Sequence, residues 1–281
     1  MNLQAYAARQ RRRVDAALDR LLPRVTQEPR AIHRAMRYSL FAGGKRLRPI
    51  LCLAACEAVG GDTRTALPAA CALECIHTYS LVHDDLPAMD DAATRRGRPS
   101  LHKAFDEGLA ILAGDALLTV AFELLAGASG TPAARLAVLH DVAEAIGTTG
   151  LIGGQVMDLA LLGRTNGHRP AAHPTARRLE AVAARKTGAL ITVSVAAGAR
   201  LGGASAQEQR RLAAYGRAIG LAFQIIDDVM DHDGLATAYG AARARAKASA
   251  LVRYAQRQLQ PFGARGETLR HLAGFVATRS T

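Results

Sequence analysis

The 281-residue chain contains no tryptophan, only 4% aromatic residues and only four lysines. Scarce aromatics leave few platforms on which bases of single-stranded nucleic acid could stack. Alternating runs of β-branched and aromatic residues are also missing. The nearest is Ile191-Thr192-Val193-Ser194-Val195, flanked by alanines, so the pattern excludes a β architecture and predicts an all-α one. No uncharged apolar run reaches the roughly 18 residues that a spanning helix requires, and no charged-then-apolar leader opens the sequence. We therefore expect a soluble, cytoplasmic protein without membrane insertion. The four cysteines fall into two pairs, Cys52/Cys56 and Cys71/Cys75. Their C-x3-C spacing matches no usual zinc pattern, so small buried core residues are expected, without disulfides.

What is abundant is arginine and apolar surface. The net charge is +12, the isoelectric point is near 10.3 and 49% of residues are hydrophobic, enough for a large core. Such basicity is compatible with nucleic acid, an anionic membrane or acidic small substrates. The arginines are dispersed, with Arg11-Arg12-Arg13 the one short run, which argues against nucleic acid. No internal repeat or low-complexity tract divides the chain, and a single domain over residues 1–281 is expected.

Two acidic clusters interrupt this basic, apolar background. The first lies in Leu81-Val82-His83-Asp84-Asp85-Leu86-Pro87-Ala88-Met89-Asp90-Asp91 and is followed by Arg95-Arg96-Gly97; the second ends the run Gly220-Leu221-Ala222-Phe223-Gln224-Ile225-Ile226-Asp227-Asp228-Val229-Met230-Asp231. At about 100° per residue, Asp227 and Asp231 share a helix face, joined by Gln224 one turn earlier. Asp84 and Asp90 would diverge by about 120° on a regular helix. Pro87 lacks an N–H and clashes with the preceding turn, so the backbone is predicted to leave the helix and return Asp90 towards Asp84. Hard carboxylate oxygens with no Cys or His among them suit Mg2+ together with substrate phosphates. Arg95 and Arg96 supply forked donors for those phosphates.

The remaining punctuation predicts helices over about 3–22, 29–42, 50–59, 67–84, 106–126, 132–147, 150–162, 176–200, 205–231, 235–258 and 266–277. Gly43-Gly44 stops the second, and Lys45-Arg46-Leu47-Arg48-Pro49 opens the third, placing cations at a helix start where free N–H groups favour anions. His77 lies two turns before Asp84 on nearly the same face. Gln155 and Asp158 sit one turn apart. Lys186-Thr187-Gly188 falls in the apolar middle of a helix, where glycine costs about 1 kcal/mol and implies close packing or backbone access. Ser205 with Glu208 reads as a capping box, and residues 163–174 as the longest loop.

Phe41-Ala42-Gly43-Gly44-Lys45-Arg46-Leu47-Arg48-Pro49, the two aspartate clusters, Arg95-Arg96-Gly97 and Lys186-Thr187-Gly188 together resemble the short-chain trans-isoprenyl diphosphate synthases, bacterial farnesyl diphosphate synthases above all. The resemblance runs through residue 231. It implies a single-domain all-α bundle of ten to twelve helices around a central cavity, working as a homodimer. It further implies three Mg2+ ions held by Asp84, Asp90 and Asp227, with Asp85, Asp91, Asp228 and Asp231 in support. Lys45, Arg48, His77 and Arg96 would hold isopentenyl diphosphate, and Arg95, Lys186, Thr187 and Gln224 an allylic diphosphate. The catalytic set would be Asp84, Asp85, Asp90, Arg95, Lys186, Asp227 and Asp228, and Tyr79 would limit chain length near fifteen carbons. The implied reaction is head-to-tail condensation giving farnesyl diphosphate, with geranylgeranyl diphosphate synthesis the runner-up. A terpene cyclase would usually lack the second aspartate motif and the Gly-Gly-Lys-Arg site. One departure stands out: the family's lysine-bearing segment after the second motif is missing, since Asp231-His232-Asp233-Gly234 passes straight into the next helix. That absence also raises a non-catalytic or altered-activity paralogue.

Overall fold

Capping side chains, glycines and prolines cut the chain into helices close to the predicted places. The computed structural model describes residues 2–165 and 174–278, so most of the loop predicted over 163–174 lies outside the described residues. In order the helices are Leu3–Leu21 (α1), Arg30–Leu40 (α2), Leu47–Ala58 (α3), Thr63–Asp84 (α4), the short Leu101–Ala104 (α5), Glu107–Ala126 (α6), Pro132–Ile146 (α7) and Leu151–Leu161 (α8). Ala176–Ala183 (α9), a π-helical segment Ala184–Gly188, Ala189–Leu201 (α10), Ala206–Asp231 (α11), Gly234–Tyr239 (α12), Ala241–Gln258 (α13) and Glu267–Thr278 (α14) complete the bundle. The all-α expectation holds. Among the described residues the only strands are Thr94–Arg95 (β1) and Arg98–Pro99 (β2), paired antiparallel.

Two predicted boundaries move for local reasons. α4 starts at Thr63, not near Pro68, because Asp62 accepts the Arg64 N–H as an N-cap and Pro68 is absorbed into an early turn. The single helix predicted over 235–258 breaks at Gly240, whose φ of +79° no helix accommodates. The capping box predicted for α11 is present, with Ser205 and Glu208 satisfying each other's backbone N–H.

α3 and α10 are largely apolar and present buried residues on opposite faces. Their opposite faces belong to different cores. Cys52, Leu53 and Cys56 of α3 and Leu190, Val193 and Ala197 of α10 pack with α1, α2, α4, α6 and α7. Ile50, Leu51 and Ala54, with Ile191, Val195 and Ala199, pack with α11, α13 and α14. All four cysteines are buried and free, as expected. Burial pushes the thiols of Cys56 and Cys71 up to about 11 and about 12, so they are poor nucleophiles.

α6 is long and apolar enough, by length and composition, to cross a membrane, yet only 39% of its most apolar stretch is buried. It packs against α4 and α2 on one side and leaves Leu112 58% exposed on another.

Candidate active site

α4 carries the first aspartate cluster to its C-terminal end. The helix stops at Asp84, and the turn through Pro87 folds back so that the Asp90 N–H donates to the Asp84 carbonyl at 2.9 Å and the Asp91 N–H to the Leu86 carbonyl at 3.1 Å. The return predicted from Pro87 thus takes place in the backbone. The four carboxylates then separate. Asp84 accepts from Gln155 of α8 and lies 3.6 Å from the Lys186 Nζ. Asp85 is buried and gripped by the Arg95 fork, whose Nε lies 3.0 and 3.2 Å from its two oxygens. Asp90 lies 3.5 Å from Arg164. Asp91, in left-handed backbone at φ +49°, turns towards Lys103 at 3.5 Å and His102 at 3.7 Å, away from the other three.

The hairpin β1–β2 explains how two adjacent arginines part company. Arg96 and Gly97 form its two-residue turn, both with positive φ, the backbone that a tight hairpin requires. Arg95 points to Asp85 while Arg96 donates to the Gly43 carbonyl. The Arg96 guanidinium lies where a Cβ on Gly44 would stand, 2.9 Å from its Cζ, and Gly44 itself has φ +132°. Only glycine fits there.

α11 supplies the second cluster. The helix runs unbroken through Asp231, so Gln224 shares the face of Asp227 and Asp231 as predicted, and its side chain also donates to Asp228, four positions on, at 2.7 Å. Asp228 also accepts the Leu235 N–H at 2.8 Å. Gly234, in left-handed backbone, brings α12 so close that a Cβ there would meet Asp228 at 2.5 Å. Asp231 is exposed.

The π-helical segment joins the clusters. Its extra residue per turn interrupts the helix predicted over 176–200, a distortion common at functional positions. Gly188 and Gly220 allow it to lie directly on α11, since a Cβ on Gly220 would fall 2.8 Å from the Gly188 Cα. Lys186 Nζ sits 2.7 Å from Asp158 and 3.6 Å from Asp84, and Thr187 donates to Gln224 at 2.7 Å. The consecutive residues Lys186 and Thr187 thus reach both clusters, Lys186 towards Asp84 and Thr187 through Gln224 to Asp228. Gln155 and Asp158 were absent from the predicted site set; their one-turn spacing on an apolar helix was the signal available.

Charge is poorly compensated here. Burial, with Asp90 and Asp158 nearby, holds the Asp84 carboxyl above the usual range despite Lys186. Burial, Asp231 and Asp158 do the same to Asp228. Burial opposes the charge on Lys186, but Asp84 and Asp158 keep its proton on. Among the described residues no three carboxylate, His or Cys groups converge as a ready-made metal site. The donor set still fits Mg2+: hard oxygens, mutually repelling, on elements already tied together.

A cavity of about 630 Å³ opens alongside, lined by Gly44, Lys45, Arg48, His77 and Arg96 at one end and by Leu3, Leu272 and Phe275 of α1 and α14 at the other. Phe223 faces it, while its neighbour Gln224 faces the aspartates. Burial, reinforced by Arg96 and opposed by Glu74, lowers the Arg48 guanidinium to about 10, and its Nε is buried with no partner among the described residues. Burial and then the neighbouring Arg48 and Arg96 drive His77 well below the ordinary imidazole range, so it is a neutral donor at pH 7. Tyr79 stands elsewhere, in the core beside α6, with its ring edge-on to His83 at 5.8 Å.

A polyprenyl synthetase family model matches residues 29–263. The chain is 50% identical over 222 residues to a heterodimeric geranylgeranyl pyrophosphate synthase large subunit 1, chloroplastic, of Arabidopsis thaliana, covering 78% of this chain and 58% of that protein. It is 48% identical over 232 residues to a geranylgeranyl diphosphate synthase of Cyanophora paradoxa, covering 82% of this chain and 74% of that protein. An FPP/GFPP synthase from Zymomonas mobilis superposes with a TM-score of 0.92 at 38% identity over 99% of both chains. The chain thus spans little more than half of the Arabidopsis protein and nearly the whole of the Zymomonas one. Both aspartate clusters, the Gly-Gly-Lys-Arg cradle and helices α2 to α13 lie within the matched residues, and the chain belongs to the polyprenyl synthetase family.

Proposed function

We propose that the protein is a Mg2+-dependent head-to-tail prenyltransferase, joining isopentenyl diphosphate to dimethylallyl or geranyl diphosphate to give farnesyl diphosphate. The observation that carries this reading is the reach of Lys186-Thr187 to both aspartate clusters, to Asp84 directly and to Asp228 through Gln224, set beside a cationic cradle. Asp84, Asp90 and Asp227, with Asp85, Asp91, Asp228 and Asp231 in support, would hold three Mg2+ ions. Bound magnesium supplies neutralisation of a departing diphosphate.

The chain's own residues do the rest. Arg95, Lys186, Thr187 and Gln224 grip the allylic diphosphate, and Lys45, Arg48, His77 and Arg96 the isopentenyl one. The allylic carbon–oxygen bond breaks, the terminal alkene carbon of isopentenyl diphosphate bonds to the freed allylic carbon, and the released diphosphate takes the proton lost. Apolar walls keep water from the cation. No protein nucleophile is required.

The decisive assay is incubation of the purified protein with Mg2+, labelled isopentenyl diphosphate and each allylic primer, followed by chromatography of the products. Condensed prenyl diphosphates are expected; no product with any primer would support a non-catalytic partner. Lys247, the first lysine after Asp231, is bound to Glu180 and lies over the Tyr239 ring, so it does not replace the missing one. Losing one charge-assisted bond, about 1.5–3 kcal/mol, should appear as a raised allylic Michaelis constant.

A twenty-carbon product is the second reading, favoured by the geranylgeranyl names of the Arabidopsis and Cyanophora relatives. Tyr79 separates the two: if it limits the chain, Tyr79→Ala should lengthen the product by five carbons or more, and an unchanged product removes it from that role.

A second copy is the expected partner. The half-covered apolar face of α6, with Ile111 and Leu112 outermost, would be buried in a homodimer. Light scattering after gel filtration should then give about twice the 29.6 kDa chain mass, and a monomer at micromolar concentration would refute it.

A further inference from the structure

Of the cations in Lys45-Arg46-Leu47-Arg48, one does not face the cavity as a free donor. Arg46 turns inward, its side chain only 2% exposed, and donates to three elements at once: Nε to Asp15 of α1 at 2.8 Å, Nη1 to Glu74 of α4 at 2.8 Å, and Nη2 to the Leu40 carbonyl at the end of α2 at 2.7 Å. Its backbone is left-handed, φ +51°, at the N-terminal cap of α3. That conformation is uncommon outside glycine and is maintained here by the three side-chain ties.

Glu74 is stranger still. Its side chain is 1% exposed, it borders the same cavity as Arg48, His77 and Arg96, and its Oε2 is buried with no hydrogen-bond partner among the described residues. A buried carboxylate weakens an anion site by its own charge. Its neighbours account for it. Glu74 lies one turn before His77 on α4, is paired to Arg46, and acts electrostatically on both Arg48 and Arg96. Without it, the guanidinium groups would repel one another while no ligand is bound.

We propose that Glu74 and Arg46 form a positioning pair that preassembles the cradle, fixing the turn that carries Lys45 and Arg48 for the diphosphate of isopentenyl diphosphate. The inference rests on the reading of this cavity as the isopentenyl site. Neither residue contacts the substrate; both act through their neighbours.

The test uses steady-state kinetics on three variants. Arg48→Ala is the reference, and if it leaves the isopentenyl KM unchanged, the reading of the cavity fails whatever the pair does. The double variant Arg46→Met/Glu74→Met replaces a buried ion pair by apolar side chains of similar size, which is often neutral or stabilising. It should melt near the parent temperature, yet show an isopentenyl KM raised about tenfold or more, with kcat and the allylic KM within about threefold. Glu74→Gln, which keeps the bond from Arg46 but not the charge, should fall between the parent and the double variant. It also serves alone if the double variant does not fold. A wild-type isopentenyl KM in Glu74→Gln overturns the proposal, as does an equal rise in both Michaelis constants, which would indicate a general structural role.

Discussion

Asp84→Asn should lower turnover about 10²–10³-fold while leaving the fold as stable as the parent or slightly more so. Asp84 ends α4 with its carboxylate half-buried, and burial together with Asp90 and Asp158 works against its negative charge. The folded state therefore bears a cost for that charge. Asparagine would still accept from Gln155, and Lys186 would keep Asp158 at 2.7 Å. Activity lost without stability lost is the signature of a charge kept for a ligand. The measurements are kcat at saturating Mg2+ and the midpoint of thermal unfolding by circular dichroism. Unchanged turnover would remove Asp84 from the reaction, and a parallel fall of several degrees would make it a structural residue.

Gly198→Ala should cause the largest loss of stability among small substitutions. A Cβ at Gly198 would lie 1.9 Å from the Cys52 carbonyl oxygen and 2.6 Å from its carbon. Both are backbone atoms in the middle of α3, and neither can rotate aside. The added methyl group must push α10 and α3 apart, an overpacking cost of about 1–3 kcal/mol or more. α3 begins at the cradle and α10 follows directly on the π-helical segment, so the displacement would reach both halves of the site. Urea unfolding should register the destabilisation, together with a rise in the isopentenyl KM. A variant as stable as the parent would contradict so close an approach of the two helices.

Much of the site was legible wherever a residue acts through its own backbone or its near neighbours. Pro87 reported the return of Asp90, Ser205 with Glu208 the start of α11, and Gly188 the tight contact beneath Lys186. These signals are local, because a missing N–H, a capping oxygen or an absent Cβ acts within one turn. Other features were not legible. Thr187 of the π-helical segment met Gln224 of α11, and Arg46 turned into the core although its neighbours Lys45 and Arg48 border the cavity. Helical spacing cannot separate such neighbours when their partners lie on other elements. The break at Gly240 has no local mark beyond the glycine itself, because alanine-rich sequence continues on both sides.

Composition, periodicity and punctuation were enough to specify an all-α chain, two aspartate clusters and a basic turn, since each depends on residues close together along the polypeptide. Which carboxylates share a lysine, which arginine is held in the core and how two glycines let the π-helical segment meet α11 were decided by packing. Those relations join residues far apart in sequence, and only the tertiary arrangement brings Asp84, Asp158, Lys186 and Asp228 into one electrostatic neighbourhood.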